Sequence, residues 1–215
     1  MRMRKVTCFC VGVALIGAAL LAALSAAEEG RGRAGAATRV LIVYHGGTPP
    51  WHGSAPLEQE DVHALTQATT QPINVASVAD RIRQELAARG CVVDLRRATD
   101  VEGPDEFLPY DGIIFGTPTW FSNVAYPVKR LFDEHLIRIY EHRDGKLNDK
   151  VLSGFVTVME GGESGPHALQ CLRWGLEHLS NRLPEGVVVN VFEGQDAANA
   201  KVSQFCQRFA EALRR

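Results

Sequence analysis

Continuous apolar runs alternate along this chain with stretches in which apolar residues recur every three or four positions. The continuous runs predict five strands buried on both faces, TRVLIVY (38–44), CVVDLRRA (91–98), GIIFG (112–116), VLSGFVTV (151–158) and GVVVNVF (186–192). The periodic stretches predict amphipathic helices at 74–90, 123–139, 166–183 and 196–215, with a short helix or turn at 104–110. This alternation is typical of an α/β domain whose parallel sheet has helices on both faces.

The strand order follows from the handedness of the crossovers. Right-handed connections leave few arrangements of five parallel strands, and we expect the order 2-1-3-4-5. In that order the loops after the first, third and fourth strands, 45–53, 116–123 and 159–165, converge on one crevice. Ligands of such sheets bind beyond the carboxyl ends of the strands, so these three loops are the candidate site.

The first 27 residues differ from the rest of the chain. A basic start, MRMRK, precedes an uncharged apolar run, which predicts a signal peptide or an N-terminal membrane anchor through residues 6–27. Residues 28–37 follow as a spacer, and 38–215 form the domain, with an inserted loop at about 45–73. We therefore expect an exported or membrane-anchored protein, or a cytoplasmic one if this segment is not a functional signal.

Charge and cysteine content exclude several classes of protein. The chain has a formal net charge of −2, and beyond residue 27 it carries 20 basic and 25 acidic residues, a net charge of −5. No cluster of Lys or Arg follows residue 33, which argues against binding of nucleic acid. The three cysteines beyond the leader are Cys91, Cys171 and Cys206, and their odd number and wide spacing argue against a disulfide scaffold and a zinc site.

The three loops supply polar groups, flat apolar faces and glycines. GTPTWFSN (116–123) combines hydroxyl and amide side chains with two aromatic rings, and MEGGESG (159–165) lets backbone approach a ligand closely. The first loop, HGGTPPWHGS (45–54), matches neither a dinucleotide fingerprint nor a Walker loop. Three histidines and three acids in this insertion are interpreted as solvated surface groups, so no metal site is predicted. Ser164 lacks the elbow and triad order of a hydrolase nucleophile.

GTPTWFSN with its following helix, and the segment GKLNDKVLSGFVTVMEGGESGPHALQCL, resemble the flavodoxin-like superfamily. The similarity is greatest to FMN-dependent NAD(P)H:quinone oxidoreductases and NADPH-dependent FMN reductases, whose third-strand motif is G-T-P-T-[aromatic or Arg]-F-G-N. The resemblance implies a flavodoxin-like three-layer sandwich that binds FMN. The isoalloxazine ring would lie against two sets of residues, one from each loop: Pro118, Thr119, Trp120, Phe121, Ser122 and Asn123 from the first, and Glu160, Gly161, Gly162 and Glu163 from the second.

The chain departs from the family at the FMN phosphate. Relatives carry a short loop like S-x-T-G-N-T, whose hydroxyls and amides bind the phosphate at a helix N-terminus. Here about 28 residues (46–73) intervene, Asn74 matches the family Asn, and Val75 stands where the family has Thr. Phosphate contacts are then expected from Asn74, from Thr66, Thr69 and Thr70, or from His45, Gly46, Gly47 and Thr48.

Three functions remain open on these grounds. The first is an enzyme that passes electrons from NAD(P)H through FMN to a quinone or a similar small-molecule acceptor. The second is a flavodoxin-type electron carrier, and the third is a flavin-less binding domain that kept the fold. No side chain is assigned a catalytic role, because hydride transfer needs no protein acid or base. The resemblance also implies a homo-oligomer as one arrangement, since relatives often form dimers or tetramers.

Overall fold

The structure, a computed structural model, describes residues 37–46, 73–142, 147–159 and 161–215. Residues Thr38–Arg215 form one compact unit. The predicted leader (1–27), residues 28–36 of the spacer and most of the insertion lie outside the described residues, so these remain predictions. Among the described helices, none combines the length and the apolar character that crossing a membrane requires.

Five parallel strands form the sheet, and a sixth, very short strand pairs with one of them. The strands are β1 (Arg39–Tyr44), β2 (Val92–Arg97), β3 (Gly112–Trp120), β4 (Asn123–Val124), β5 (Val151–Val158) and β6 (Val187–Asn190). The parallel order is β2-β1-β3-β5-β6, which confirms the predicted order because β5 and β6 are the expected fourth and fifth strands. The additional strand β4 pairs antiparallel with the end of β3.

The α-helices of the described residues are α1 (Val75–Ala87), α2 (Tyr126–Leu131), α3 (Ile137–His142), α4 (Ser164–Glu177) and α5 (Gln195–Leu213). A π-helical turn, Phe132–Leu136, joins α2 to α3. The helix predicted to begin at Asn123 was therefore wrong at its start, because Asn123 and Val124 continue the sheet. Two further helices differ from the prediction: α4 begins at Ser164 and ends before residue 183, and Gly194, not Asp196, caps α5.

Each face of the sheet has its own core. On one face α1 and α5 pack on the strands, with Ile82 and Phe205 among the fully buried residues. On the other face α2, the π-turn, α3 and α4 pack on the strands, with Phe115 and Leu172 in that core. The central strands β1, β3 and β5 are buried by both layers, which explains why their sequences are continuous apolar runs, whereas the edge strand β2 is partly exposed and carries charged residues.

The sheet register brings the candidate loops to one edge. Tyr44 at the end of β1 lies between Arg97 of β2 and Gly116 of β3. Beyond that level β3 runs on beside β5, with Pro118 opposite Thr157. The loops that follow β1, β3 and β5 therefore leave the sheet at its carboxyl edge, as the strand order predicts.

Candidate functional site

His45 and Trp120 meet at the carboxyl edge of the sheet. The backbone N–H of His45 donates to the carbonyl of Gly116 at 3.0 Å, so this residue continues β1 alongside β3. Its imidazole ring stands edge-on to the Trp120 ring, with the ring centroids 5.4 Å apart and the planes at 85°. This contact joins the loops that follow β1 and β3, which the strand order predicts to converge on one crevice.

His45 is half-buried in this crevice, and its pKa departs from the ordinary value. Burial lowers its pKa below the ordinary value, and the positive charge of Arg97 lowers it further. Its Nε2 atom is buried and finds no hydrogen-bond partner among the described residues. A buried imidazole with a depressed pKa is neutral at pH 7, so Nε2 remains able to exchange a hydrogen bond with a group placed in the crevice.

The β3–β4 connection is a two-residue hairpin made without glycine. Trp120 pairs with Asn123, which leaves Phe121 and Ser122 as the turn, with φ angles of 51° and 58°. Two-residue hairpins of this kind need positive φ at both central positions and favour Asn and Gly there. Phe121 is 93% exposed at the tip. A left-handed phenylalanine in solvent is uncommon and marks the turn as strained.

The hairpin is tied to the loop that follows β5. The Ser122 hydroxyl donates to the Ser164 hydroxyl at 3.1 Å, and Ser164 is the first residue of α4. Before α4, Gly162 has φ 89°, and a Cβ atom at Gly161 or Gly162 would meet nothing within 4 Å. The loops that follow the predicted third and fourth strands therefore contact each other. The turn at Gly161 and Gly162 has open space around it.

Several predicted side chains are used internally. Thr119 donates its hydroxyl to the carbonyl of Thr157 at 2.9 Å, and the Asn123 side chain accepts from the Val124 amide at 2.7 Å. Asn123 does not cap a helix, since α2 begins at Tyr126 with Ala125 as its N-cap. These contacts fix the loop, so a ligand's polar edge would meet chiefly backbone groups here.

The N-terminus of α1 lies beside the end of β1. Asn74 caps the helix: its side chain accepts from the Ser77 amide at 2.9 Å, and the Ser77 hydroxyl accepts from the Asn74 amide. A Cβ atom built on Gly46 would stand 3.6 Å from the Ala76 nitrogen. The first amides of a helix have no intrahelical partner, so α1 presents donors and a favourable dipole next to Gly46.

The remaining predicted residues are placed as follows. Pro118 lies in β3, and Glu163 precedes α4, where its carbonyl accepts from the His167 amide at 2.9 Å. Gly47, Thr48 and Glu160 lie outside the described residues. No group of three or more His, Cys, Asp or Glu that could hold a metal occurs in the described part of the chain.

Two crevice residues were not among the predicted ones. Arg97 ends β2 in register with Tyr44, the residue before His45. The predicted pairing of the first two strands could therefore have indicated that Arg97 lies near His45. Ser164 was considered only as a nucleophile. Its contact with Ser122 joins residues 42 positions apart, and no local pattern indicates it.

No model of a known family matches the chain. An NAD(P)H dehydrogenase (quinone) from Acidithiobacillus ferrooxidans (strain ATCC 53993 / BNL-5-31) is 27% identical over 128 residues. That similarity covers 59% of this chain and 60% of the relative, so this chain matches less than two thirds of the relative's length.

Solved structures resemble nearly the whole described domain. Oxidised Flavodoxin 2 from Bacillus cereus matches with a TM-score of 0.58 at 23% identity, covering 81% of this chain and 99% of the other. A flavodoxin, WrbA-like protein from Agrobacterium tumefaciens matches with a TM-score of 0.54 at 18% identity, covering 82% and 98%. The chain has the flavodoxin-like fold, as the sequence resemblance implied.

Proposed function

We propose that this flavodoxin-like domain binds FMN in the crevice and passes electrons from NAD(P)H to a quinone or a similar small-molecule acceptor. The observation that carries the proposal is the convergence of Trp120, its edge-on partner His45 and the Ser122–Ser164 pair at the carboxyl edge of the sheet. The similarity to an NAD(P)H dehydrogenase (quinone) supports the choice of donor and acceptor.

The described residues fit the flavin ring. Trp120 and Phe121 supply aromatic faces, and the open space around Gly161 and Gly162 leaves room for a flat group beside the backbone. The buried, unpartnered Nε2 of His45 supplies one polar contact at the same edge. Because Thr119 and Asn123 are occupied internally, we expect the polar edge of the ring to meet mainly backbone amides of these loops.

The phosphate end would be held differently from the family loop. Val75 offers no hydroxyl, so we expect the phosphate to meet the first backbone amides of α1 beside Gly46, apart from the Ser77 amide, which Asn74 caps. Arg97, close enough to His45 to lower its pKa, adds positive charge at this side of the crevice. Further contacts from Gly47, Thr48 or Thr66–Thr70 stay predictions.

FMN held in this crevice would supply the hydride and electron-transfer chemistry. The chain's own part is positioning. The strained hairpin, fixed by Thr119 and by the Ser122–Ser164 hydrogen bond, holds aromatic faces at the crevice. His45 remains neutral at physiological pH because its pKa is depressed, so it places no titrating positive charge there near pH 7.

An electron carrier is the second candidate function. The flavodoxins among the solved structures favour it, since they match 81% of this chain. The moderate net charge of −5 beyond residue 27 is lower than we expect for a carrier that docks through an acidic face.

Turnover distinguishes the enzyme from the carrier. Purified protein supplied with FMN should oxidise NADH or NADPH when a benzoquinone is added, and the rate should require both FMN and the quinone. Binding of FMN without quinone-dependent NAD(P)H oxidation would contradict the enzyme and favour the carrier. Absence of FMN binding by folded protein would contradict both and favour the flavin-less domain.

A further inference from the structure

A groove of about 460 Å³ lies between α4 and the irregular helix made by α2, the π-turn and α3. Its walls are mainly apolar and aromatic, and include Phe132, Ile137, Tyr140 and Trp174. Of the crevice residues described above, Val124 at the end of the hairpin is the one that also lines it. The volume falls within the range of small-molecule sites in proteins, which is about 300–1,000 Å³.

The shape of the groove follows from the π-turn. The wider turn at Phe132–Leu136 interrupts the α-helical register. The Phe132 ring packs against Gly175 of α4, where there is no side chain, because a Cβ at Gly175 would lie 2.6 Å from Phe132 Cε1. Such π-turns are rare and occur frequently at functional sites. On the open side, Tyr140 and Trp174 remain 56% and 54% exposed, so two aromatic rings border the groove.

A nucleophile lies on the α4 wall of the groove, and a base on the same helix lies beside it. The Cys171 sulfur lines the groove and stands 3.5 Å from Nε2 of His167, one helical turn earlier. His178 lines the groove too, and its ring is edge-on to Tyr140 with the centroids 5.9 Å apart. A thiol that can pass its proton to a neighbouring imidazole is the arrangement of an activated cysteine.

The other two cysteines of the domain have raised pKa values. Burial raises the pKa of the Cys91 thiol and raises that of Cys206 to about 12. Both are therefore protonated at neutral pH and poor nucleophiles, because the thiolate is the reactive form. Among the described cysteines, Cys171 alone combines access through a groove with a neighbouring imidazole.

We propose that this groove binds planar aromatic carbonyl electrophiles of the quinone class and that Cys171 adds to them. The aromatic border favours a flat ring, and the thiol in the wall favours an electrophilic one. Sulfur attacks a ring carbon conjugated to a carbonyl, and a carbon–sulfur bond forms. The thiol proton passes through His167 to a quinone oxygen, and the displaced ring proton moves to the other oxygen. The product is a hydroquinone thioether, so no further oxidant or reductant is needed.

Alkylation rates test the groove on flavin-free, full-length protein in which Cys8 and Cys10 are replaced by Ser. With 1,4-naphthoquinone, intact-mass and peptide mapping should show one adduct on Cys171, formed with a rate that saturates as the quinone concentration rises. Iodoacetamide, which has no ring, should react at the same thiol with a rate that stays linear in concentration. Cys171→Ser should lose the adduct, and Cys91→Ala should keep it.

Substitution of Trp174, at the border of the groove, distinguishes quinone binding in the groove from simple accessibility of the thiol. Trp174→Ala should slow naphthoquinone addition about tenfold, the equivalent of one aromatic contact, and leave the iodoacetamide rate unchanged. His167→Asn should slow both reagents. Linear kinetics with naphthoquinone, equal labelling of Cys171→Ser, or an unchanged rate in folded Trp174→Ala and Tyr140→Ala would overturn the proposal. Because no flavin is present, failure here leaves the proposed FMN site untouched.

Discussion

The hydroxyl of Ser122, at the tip of the β3–β4 hairpin, donates a hydrogen bond of 3.1 Å to the hydroxyl of Ser164 at the start of α4. The two residues are 42 positions apart in sequence, and each belongs to a loop that leaves the carboxyl edge of the sheet. This contact holds together the aromatic and the glycine-rich parts of the crevice.

Substitution of Ser122 separates backbone strain from the hydrogen bond. Both Ser122→Gly and Ser122→Ala lose the contact with Ser164, but only glycine adopts φ 58° without a Cβ penalty. We expect the glycine variant to be more stable than the alanine variant by about 1 kcal/mol, measured as the free energy of unfolding in urea. Equal stabilities at equal m-values would contradict a strained turn.

Gly116 lies beneath the crevice and has no room for a side chain. A Cβ there would stand 2.2 Å from the Phe155 ring, so Gly116→Ala should lower the free energy of unfolding by about 1–3 kcal/mol. Gly161→Ala is the matched control, because its Cβ would meet nothing within 4 Å; we expect a change below about 0.5 kcal/mol.

The double variant Gly116→Ala/Phe155→Leu tests whether the clash is the cause. A smaller, flexible side chain at 155 makes room for the new methyl group, so the two substitutions together should cost less than the sum of the single ones. If the losses of unfolding free energy in the two single variants simply add in the double variant, the effect of Gly116→Ala does not come from contact with the Phe155 ring.

His45 should make stability depend on pH in one window. Its pKa is lowered in the folded state, so the unfolded chain binds the proton more readily, and stability falls as the pH drops below the ordinary value of 6.5. Above 6.5 both states hold a neutral His45 and the effect vanishes. In His45→Gln, unfolding between pH 7 and pH 5 should show a shallower decline.

The effect of His45 protonation on stability can be distinguished from that of carboxylate protonation, because the two occur in different pH ranges. The Glu85 pKa is lowered by its hydrogen bond to Arg89, so its contribution is lost only as the pH falls below the ordinary value of 4.5. An identical slope between pH 7 and pH 5 in the parent and His45→Gln would contradict the burial of a neutral imidazole.

The sheet could be predicted because its central strands are buried on both faces. Val40, Leu41, Ile42 and Val43 are all buried, two toward each core, so the run itself indicates a central parallel strand. Once five such runs alternate with helices, crossover handedness leaves the order that places three loops together.

The hairpin and the π-turn could not be predicted from local sequence. Phe121 and Ser122 are poor residues for positive φ, and only their neighbours across the sheet and at Ser164 hold them there. The π-turn at Phe132 depends on Gly175, 43 positions later, which makes room for the ring. The site was therefore predictable as a set of loops, but its internal contacts were not.

Trp120 provides the sharpest test of where the flavin binds. Trp120→Leu removes an aromatic face of the crevice and should weaken FMN binding about tenfold, since an aromatic pair adds up to about 1.5 kcal/mol beyond burial. Trp174→Leu removes a half-exposed ring from the other groove and should leave the affinity unchanged.

The measurement that tests the central claim is a titration of FMN with this protein, following flavin fluorescence. The parent protein and Trp174→Leu should quench the flavin and saturate at the same micromolar or lower concentration, and Trp120→Leu should need about ten times more protein. No saturable quenching by folded parent protein, or equal weakening in the two variants, would contradict a flavin bound at the carboxyl edge beside Trp120.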